Sequence, residues 1–217
     1  MKQKNTLLGS DNPILSLLDP WNENIAVIGA NLVKHRLGLY EVFSKNLVRI
    51  YRALVLNSAI DVAYIPSWEV EDDIELHENP YTVEEIQGKL LEKMERLKDA
   101  KIRTGKTLSG PHRDDLKFYI DGHDARKFAS QGQQRSIALS WKIAEMQTIA
   151  QLCGQQPVLL LDDVLSEFDQ TKRDVLVKYL VSNNMQTFIT ATDVDYLDDE
   201  ILEQSKIFKI GGNDGHQ

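Results

Sequence analysis

Hydrophobic residues recur every three or four positions in two stretches of the first half of the chain, and this spacing predicts two long amphipathic helices. The first stretch opens at Asp19-Pro20, an N-cap residue followed by Pro at the first helical position. The second opens at Thr82, where Glu85 completes a capping box. The apolar stripes are Ile25, Ile28, Leu32, Leu39, Phe43, Leu47, Ile50 and Leu54, and then Val83, Ile86, Leu90, Met94 and Leu97.

The polar face of the first predicted helix is rich in basic residues, which allows two interpretations. One is a contact with nucleic-acid phosphate or with an acidic partner. The other, which we favour, is a solvated helix face. The residues concerned are Lys34, His35, Arg36, Lys45, Arg49 and Arg52.

Shorter apolar segments between turn residues predict β-strands around these helices. Residues 59–66 form a strand that Pro66 ends, with residues 67–75 as its expected partner. Residues 116–120 form another strand, and Asp121-Gly122 after it predicts a hairpin. A last short strand is predicted at 206–210.

The segment Thr104-Gly105-Lys106-Thr107 resembles the end of a phosphate-binding P-loop. The full pattern requires Gly where Ala100 stands, and it must follow a buried strand. A charged helix precedes it instead, so we interpret Gly105 as the residue that ends that helix.

The turn SGPHRDD, residues 109–115, has a high density of ionisable side chains. His112 is a possible metal ligand, but one His without a second at a suitable spacing is weak support for a metal site. The alternative is a turn held by an Arg–carboxylate pair. Both interpretations remain open at the level of sequence.

Four apolar residues, 158–161, follow Pro157 and precede Asp162 and Asp163. A run of this length predicts a strand that is buried on both faces. Ligands bind at the carboxyl ends of strands in open α/β sheets, so the two carboxylates indicate a magnesium–nucleotide site. The alternative is a pair of solvated acids that open a loop.

The residues around Gly132 predict the start of a long and largely buried helix over 136–152. Ser130 is then its cap, and the free N–H groups of such a helix end suit a phosphate. An ordinary N-cap explains Ser130 nearly as well. Further on, Asp169 caps a predicted helix over 171–181, and a β-branched strand follows at 186–192.

Composition limits the classes of protein to which the chain can belong. Its 217 residues suit one or two domains, and its net charge of −8 disfavours a dedicated non-specific DNA binder. Its apolar runs are too short to span a membrane. A single cysteine, Cys153, fits a reducing cytoplasm and a buried helix position. We therefore expect a cytoplasmic protein without a membrane partner.

The order of the motifs SGPHRDD, FASQGQQRS, LLLDDVLSEFD and TFITATD resembles the second half of an ABC-type ATPase head, as in chromosome-maintenance and Rad-type repair ATPases. Within that group the motifs look closest to the RecF family. The resemblance implies an α/β fold. It corresponds to the C-terminal part of an ABC/SMC-type P-loop ATPase head, with a mixed sheet and flanking helices, and to a mainly helical arm domain. The arm (lobe II-like) would occupy residues 1–105 and the head portion residues 106–217.

This resemblance also implies roles for individual residues. Asp162 matches the Walker B carboxylate, which holds magnesium through water, and Asp163 stands at the general base position, a Glu in most relatives. Ser130, Gly132 and Gln133 match the signature motif, which contacts the γ-phosphate of a nucleotide held by the opposite subunit.

Three further positions match motifs at the edge of such a site. Ser166 and Asp169 match the D-loop, which crosses the dimer interface. Thr192 stands where many relatives have a switch histidine, so a histidine sensor of the γ-phosphate is missing from the pattern.

The functional expectation from the resemblance is an ATPase that uses ATP and Mg²⁺ and forms an ATP-dependent homodimer. It would bind DNA at single-strand gaps and junctions in repair, recombination, replication and the SOS response, with mediators of the RecO and RecR type. The chain lacks a Walker A motif, so we expect a C-terminal portion of a longer protein that binds ATP weakly and is inactive alone. The alternative is a non-catalytic dimerisation or scaffold module that retains the ATPase fold.

Overall fold

The computed structural model forms two compact units, which are described separately. The first contains Met1–Val48 and Ala59–Ala129, and the second contains Arg49–Ser58 and Ser130–Gln217. This division differs from the expected boundary after residue 105, so the assignment of an arm and a head portion stays a prediction. The structure describes residues 18–69, 71, 73–104, 106–183, 185–192, 202–203 and 205–210. Residues 1–12, whose sequence has no strong apolar period and so predicts a loop, lie outside them.

Helices α1 (Leu18–Leu54), α2 (Val83–Arg96) and α3 (Lys98–Thr104) confirm the predicted helical segments. At α2 the Oγ1 atom of Thr82 accepts a hydrogen bond from the N–H of Glu85, and the Glu85 carboxylate accepts one from the N–H of Thr82. Helix α3 ends at Thr104, which confirms that a helix and not a strand precedes the Gly-Lys-Thr segment. Gly105 itself lies outside the described residues.

The predicted buried stripe of α1 is wrong in its first half. Ile28, Leu32 and Leu39 are exposed, with Ile28 at 70%. The helix buries a different side, on which a Cβ atom at Gly29 would lie only 3.3 Å from Leu90 Cδ1. A side chain at position 29 would therefore crowd Leu90. The buried residues are Ala26, Ala30, Val33, Leu37 and Tyr40.

Two basic residues of α1 in the first unit make internal contacts. Lys34 Nζ donates to the carbonyl of Tyr81 at 2.7 Å. Arg36 Nη1 donates to the carbonyl of Pro111 and lies 3.3 Å from Asp114 Oδ2. The polar face of α1 is therefore partly a structural surface and not a row of solvated cations.

The sheet of the first unit has the order β1-β2-β3, with β1 (Ile60–Ile65), β2 (Asp115–Ile120) and β3 (His123–Asp124) all antiparallel. The predicted hairpin is confirmed, and a short helix α4 (Ala125–Phe128) follows it. The expected pairing of β1 with residues 67–75 is wrong for the residues that the structure describes: β1 pairs with β2 along its whole length, and its other described partner is the isolated bridge of Tyr64 with Leu76. Ser67 instead hydrogen-bonds to Gly110 and Asp114, which turns the chain away from β1.

Two buried tyrosines make the first unit sensitive to alkaline pH. Burial and the charge of Asp61 raise the pKa of Tyr40 to about 12, and burial and the charge of Asp114 raise the pKa of Tyr64. A tyrosine in the unfolded chain releases its proton near its ordinary pKa of about 10. The contribution of the two protonated tyrosines to the free energy of unfolding is therefore complete below about pH 10. It is lost as pH rises through their folded-state pKa values.

We expect the free energy of unfolding to fall as pH rises from 10 to about 12, when followed by urea titration. Tyr40→Phe removes one of the titrating hydroxyls, so its stability should fall less steeply over the same interval. Equal slopes for the two proteins would contradict the assignment to Tyr40.

The second unit contains α5 (Gln131–Cys153), β4 (Leu159–Asp162), α6 (Gln170–Ser182) and β5 (Thr187–Thr190). Strands β4 and β5 are parallel and pair in register. Helix α5 ends at Gly154, which adopts a left-handed conformation that favours glycine (φ 68°). Cys153 is exposed beside it, contrary to the expected buried position.

Two expectations for the strands of the second unit are wrong. Strand β4 is buried on one face only, because Leu159 and Leu161 are 5% exposed whereas Leu160 is 72% exposed. Its Cα partner in β5, Phe188, is also exposed, so the two side chains form an uncovered apolar pair. Residues 206–210 form no strand, and within the described part of the chain they have no strand partner.

This open face predicts self-association of the isolated chain, since uncovered apolar surface on a short sheet favours pairing. We expect sedimentation velocity to show oligomers that increase with protein concentration, and Leu160→Lys to reduce them. Val181→Lys, at an exposed apolar residue of α6, is the matched control and should leave association unchanged. A wild-type chain that stays monomeric at high concentration would rule out this role for the open face.

Candidate nucleotide site

Strands β4 and β5 end at the same edge of their sheet, and this edge carries the two acids selected from the sequence. Asp162 is the last residue of β4, and its Cα partner is Thr190, the last residue of β5. Asp163 follows directly, and both carboxylate residues are exposed. The structure thus confirms that the acids stand at the carboxyl end of a parallel strand pair, where ligands bind in α/β sheets.

The Thr190 hydroxyl connects the two acidic residues. Its Oγ1 atom donates to Asp162 Oδ1 at 2.5 Å and accepts a hydrogen bond from the backbone N–H of Asp163 at 3.0 Å. This contact fixes one carboxylate oxygen of Asp162 and the start of the following turn. Sequence reasoning missed Thr190 and selected Thr192, which lies in an exposed bend just past β5.

Asp163 adopts a left-handed backbone conformation, with φ 51° and ψ 22°. Asp and Asn tolerate this region better than most residues other than glycine. The conformation turns the chain sharply out of β4 into a 3-10 turn, Val164–Glu167, in which Ser166 Oγ donates to the Asp163 carbonyl at 2.8 Å. Leu165 is fully buried and fixes this turn to the unit.

The donor set at this edge fits magnesium. Mg²⁺ prefers oxygen ligands and usually keeps several waters while it binds one or two carboxylates and the substrate phosphates. Asp162 supplies such oxygens, and Thr190 engages only one of the two. Among the described residues no group of three His, Cys, Asp or Glu side chains is arranged to hold a metal.

Ser130 lies at the start of α5, as predicted. Its Oγ accepts from the N–H of Gln133 at 3.3 Å, and Gln133 Oε1 accepts from the N–H of Ser130 at 2.9 Å. Both side chains thus act in a capping box in this structure. The N–H of Gly132 belongs to the first turn, where helical N–H groups have no acceptor within the helix.

Lys172 of α6 connects the start of α5 with the predicted D-loop. Its Nζ atom lies 4.0 Å from the position that a Cβ atom on Gly132 would take, and 3.7 Å from Asp169 Oδ2. Asp169 also accepts from the N–H of Lys172 and so caps α6. A cation beside the open N-terminus of α5 increases its attraction for an anion. The charge of Lys172 was visible in the sequence, but its proximity to Gly132 depends on helix packing.

The predicted site residues therefore fall into two groups. One contains Asp162, Asp163 and Ser166, joined through Thr190 and the 3-10 turn. The other contains Ser130, Gly132, Gln133 and Asp169, with Lys172 between them. Within these named residues no hydrogen bond or ion pair joins the two groups.

The turn SGPHRDD is held by an Arg–carboxylate pair, one of the two interpretations left open. The arginine is Arg36 of α1 and not the neighbouring Arg113. The carboxylate is Asp114, whose side chain is 1% exposed.

Comparison with known proteins agrees with this geometry. No family model matches the chain. The DNA replication and repair protein RecF of Lactobacillus delbrueckii subsp. bulgaricus is 39% identical over 97% of this chain and 53% of its own length. The RecF of Bacillus subtilis (strain 168) is 35% identical over 97% of this chain and 54% of its own length.

Solved structures show the same relation. The recombination mediator protein RecF-ATPrS in the RecFOR pathway superposes with a TM-score of 0.74 at 28% identity, covering 91% of this chain and 52% of that one. The RecF-ATP structure gives a TM-score of 0.71, also at 28% identity, covering 89% and 50%.

The carboxylate edge of the parallel strands and these superpositions define the fold as part of an ABC/SMC-type ATPase head. Within that class the chain is a homologue of RecF, a DNA replication and repair protein. The chain spans about half the length of the curated relatives that it matches. In the described residues, no helix has the length and apolar character needed to cross a membrane.

Proposed function

We propose that the chain acts as part of a RecF-type, ATP-dependent, dimerising DNA-binding ATPase at single-strand gaps and single-strand/double-strand junctions. The observation that carries this proposal is the contact of Thr190 with both Asp162 and Asp163 at the end of two parallel strands. A pair of merely solvated acids has no need of a hydroxyl that fixes their relative position.

Each acid has a distinct role in this proposal. Asp162 would hold magnesium through water, and the metal would supply positive charge for the phosphoryl group that is transferred. Asp163 accepts the proton of the attacking water. Its side chain is one methylene shorter than the Glu of most relatives, so we propose slow hydrolysis.

The second group of residues acts on nucleotide held by the partner protomer. Ser130, Gly132 and Gln133 contribute the helix N-terminus that faces the γ-phosphate, and Lys172 adds positive charge beside it. No hydrogen bond connects this group to Asp162 and Asp163 within one chain, which suits a site completed by two protomers. ATP then stabilises the dimer, and hydrolysis times its release.

The remaining assignments extend the same proposal. Ser166 and Asp169 form the D-loop at the dimer interface, and Thr192 occupies the position of the switch histidine. Mediators of the RecO and RecR type are the proposed partners in the cytoplasm. Because the sequence lacks a P-loop lysine, ATP binding by this chain alone should be weak in calorimetry.

A non-catalytic dimerisation or scaffold module is the second candidate. It is favoured by the capping box, which engages Ser130 and Gln133 within the chain, and by the missing Walker A motif. In the test the chain is mixed with the part of a RecF relative that it does not span, and ATP hydrolysis is measured with and without gapped DNA.

Turnover that requires both parts and falls in Thr190→Val supports the ATPase. Thr187→Val, at the first position of β5, is the matched control and should leave turnover unchanged. Stable assembly of the two parts without any turnover would favour the scaffold.

A further inference from the structure

The turn formed by residues 109–115 is fixed far more firmly than a surface loop requires. Asp114 accepts hydrogen bonds from the N–H of Ser67 at 3.0 Å, from Ser67 Oγ at 2.8 Å, from Arg36 and from the Tyr64 hydroxyl. Its side chain is 1% exposed. A buried carboxylate with this many donors holds the backbone of its neighbours in one position.

The other end of the turn is fixed as well. Gly110 adopts φ 131° and ψ 169°, a conformation that is essentially restricted to glycine. Ser67 Oγ also lies 2.7 Å from the Gly110 carbonyl oxygen, so its single hydroxyl hydrogen is shared between this oxygen and Asp114, and Pro111 is buried. Glycine adopts this conformation without a steric cost, so the sequence itself allows the sharp turn at Gly110.

Between these anchors the turn presents two exposed residues, His112 and Arg113. Arg113 Nε donates to the carbonyl of Thr107 at 3.2 Å. This bond brings the Arg113 guanidinium next to the backbone of Thr107, the residue that follows Lys106. The two Nη groups form the outer end of the Arg113 side chain. Lys106 is also exposed.

Charge along this segment opposes that of the whole chain. The chain has a net charge of −8, yet the stretch from Lys101 to Arg113 contains no Asp or Glu and has basic residues at Lys101, Arg103, Lys106 and Arg113. Partial burial and the charge of Arg113 lower the pKa of His112, so its ring is mainly neutral at pH 7 and serves as a hydrogen-bond donor or acceptor.

We propose that Lys106, His112 and Arg113 form a binding site for backbone phosphates of nucleic acid. The Arg113 guanidinium is already held in place by its bond to Thr107, so it can bind a phosphate through two N–H groups with little loss of side-chain entropy. The neighbouring lysine adds a point charge for the next phosphate. This inference deepens the proposed function and rests on its DNA-binding component, and it assigns that binding to the first unit.

The test measures binding of the 217-residue chain to a fluorescent gapped duplex by anisotropy, over a series of salt concentrations. Arg113→Gln and Lys106→Gln should each weaken binding several-fold, and each should reduce the slope of log K against log salt by about 1. Arg113→Lys keeps the charge but loses the fork, so it should recover only part of the affinity.

Lys142→Gln removes the same charge from an exposed position on α5 and is the matched control. Thermal melts confirm that the variants are folded. Unchanged affinity in Lys142→Gln together with losses in the two turn variants supports the site. Equal losses in all three variants, or wild-type affinity in both turn variants, would overturn this inference but leave DNA binding itself intact. A wild-type chain that fails to bind DNA would also overturn this inference, whereas the proposed function is tested separately by ATP hydrolysis of the complemented protein with and without gapped DNA.

Discussion

Asp163→Asn is expected to lower ATP turnover by at least two orders of magnitude, because a general base contributes about 10²- to 10⁴-fold to such reactions. Turnover is measured after the chain is complemented with the part of a RecF relative that it does not span. An amide cannot accept the proton of the attacking water. Asn also tolerates the left-handed conformation of Asp163, and its backbone N–H still donates to Thr190, so the turn should keep its geometry.

The control measurements separate chemistry from folding. Thermal stability and ATP-dependent assembly of Asp163→Asn should match those of the wild type. Asp162→Asn should instead raise the magnesium concentration needed for activity, since it removes charge from the metal position. Turnover that survives in Asp163→Asn would remove Asp163 from the mechanism.

Asp114→Ala is expected to destabilise the first unit by about 1–3 kcal/mol, which is the range for buried hydrogen-bond donors that lose their acceptor. The substitution removes the acceptor of the Tyr64 hydroxyl and of the Ser67 N–H, and it removes one of the two acceptors of Arg36 and of Ser67 Oγ. Urea unfolding followed by circular dichroism measures the effect.

Asp115→Ala is the matched control at the adjacent residue. Its carboxylate is half exposed and pairs with exposed Arg126, so the expected loss is within about 1 kcal/mol. Comparable losses for the two variants would show that Asp114 is not the anchor of the turn.

Features that depend on neighbouring residues were predictable from the sequence. The capping boxes at Thr82 and Ser130 each involve residues three positions apart, so their chemistry is present in the local sequence. The same is true of the turn after β2 and of the cap at Asp169. These signals placed Ser130 at a helix start and Asp162 at a strand end before any packing was known.

Features that depend on contacts between distant segments were not predictable. The buried face of α1 includes Gly29, which packs against Leu90 of α2, and the apolar spacing does not encode this contact. The Arg36–Asp114 pair joins residues far apart in sequence. Thr190 acquires its role only because the register of β4 and β5 sets it opposite Asp162.

Mixing two inactive variants tests most directly whether each nucleotide site is completed by two protomers. Ser130→Arg blocks the helix start and Asp163→Asn removes the base, so each complemented protein should be inactive alone. An equal mixture should recover about a quarter of the wild-type ATPase rate, because half of the dimers are mixed and each of these has one complete site. A mixture that remains as inactive as the separate variants would contradict the account.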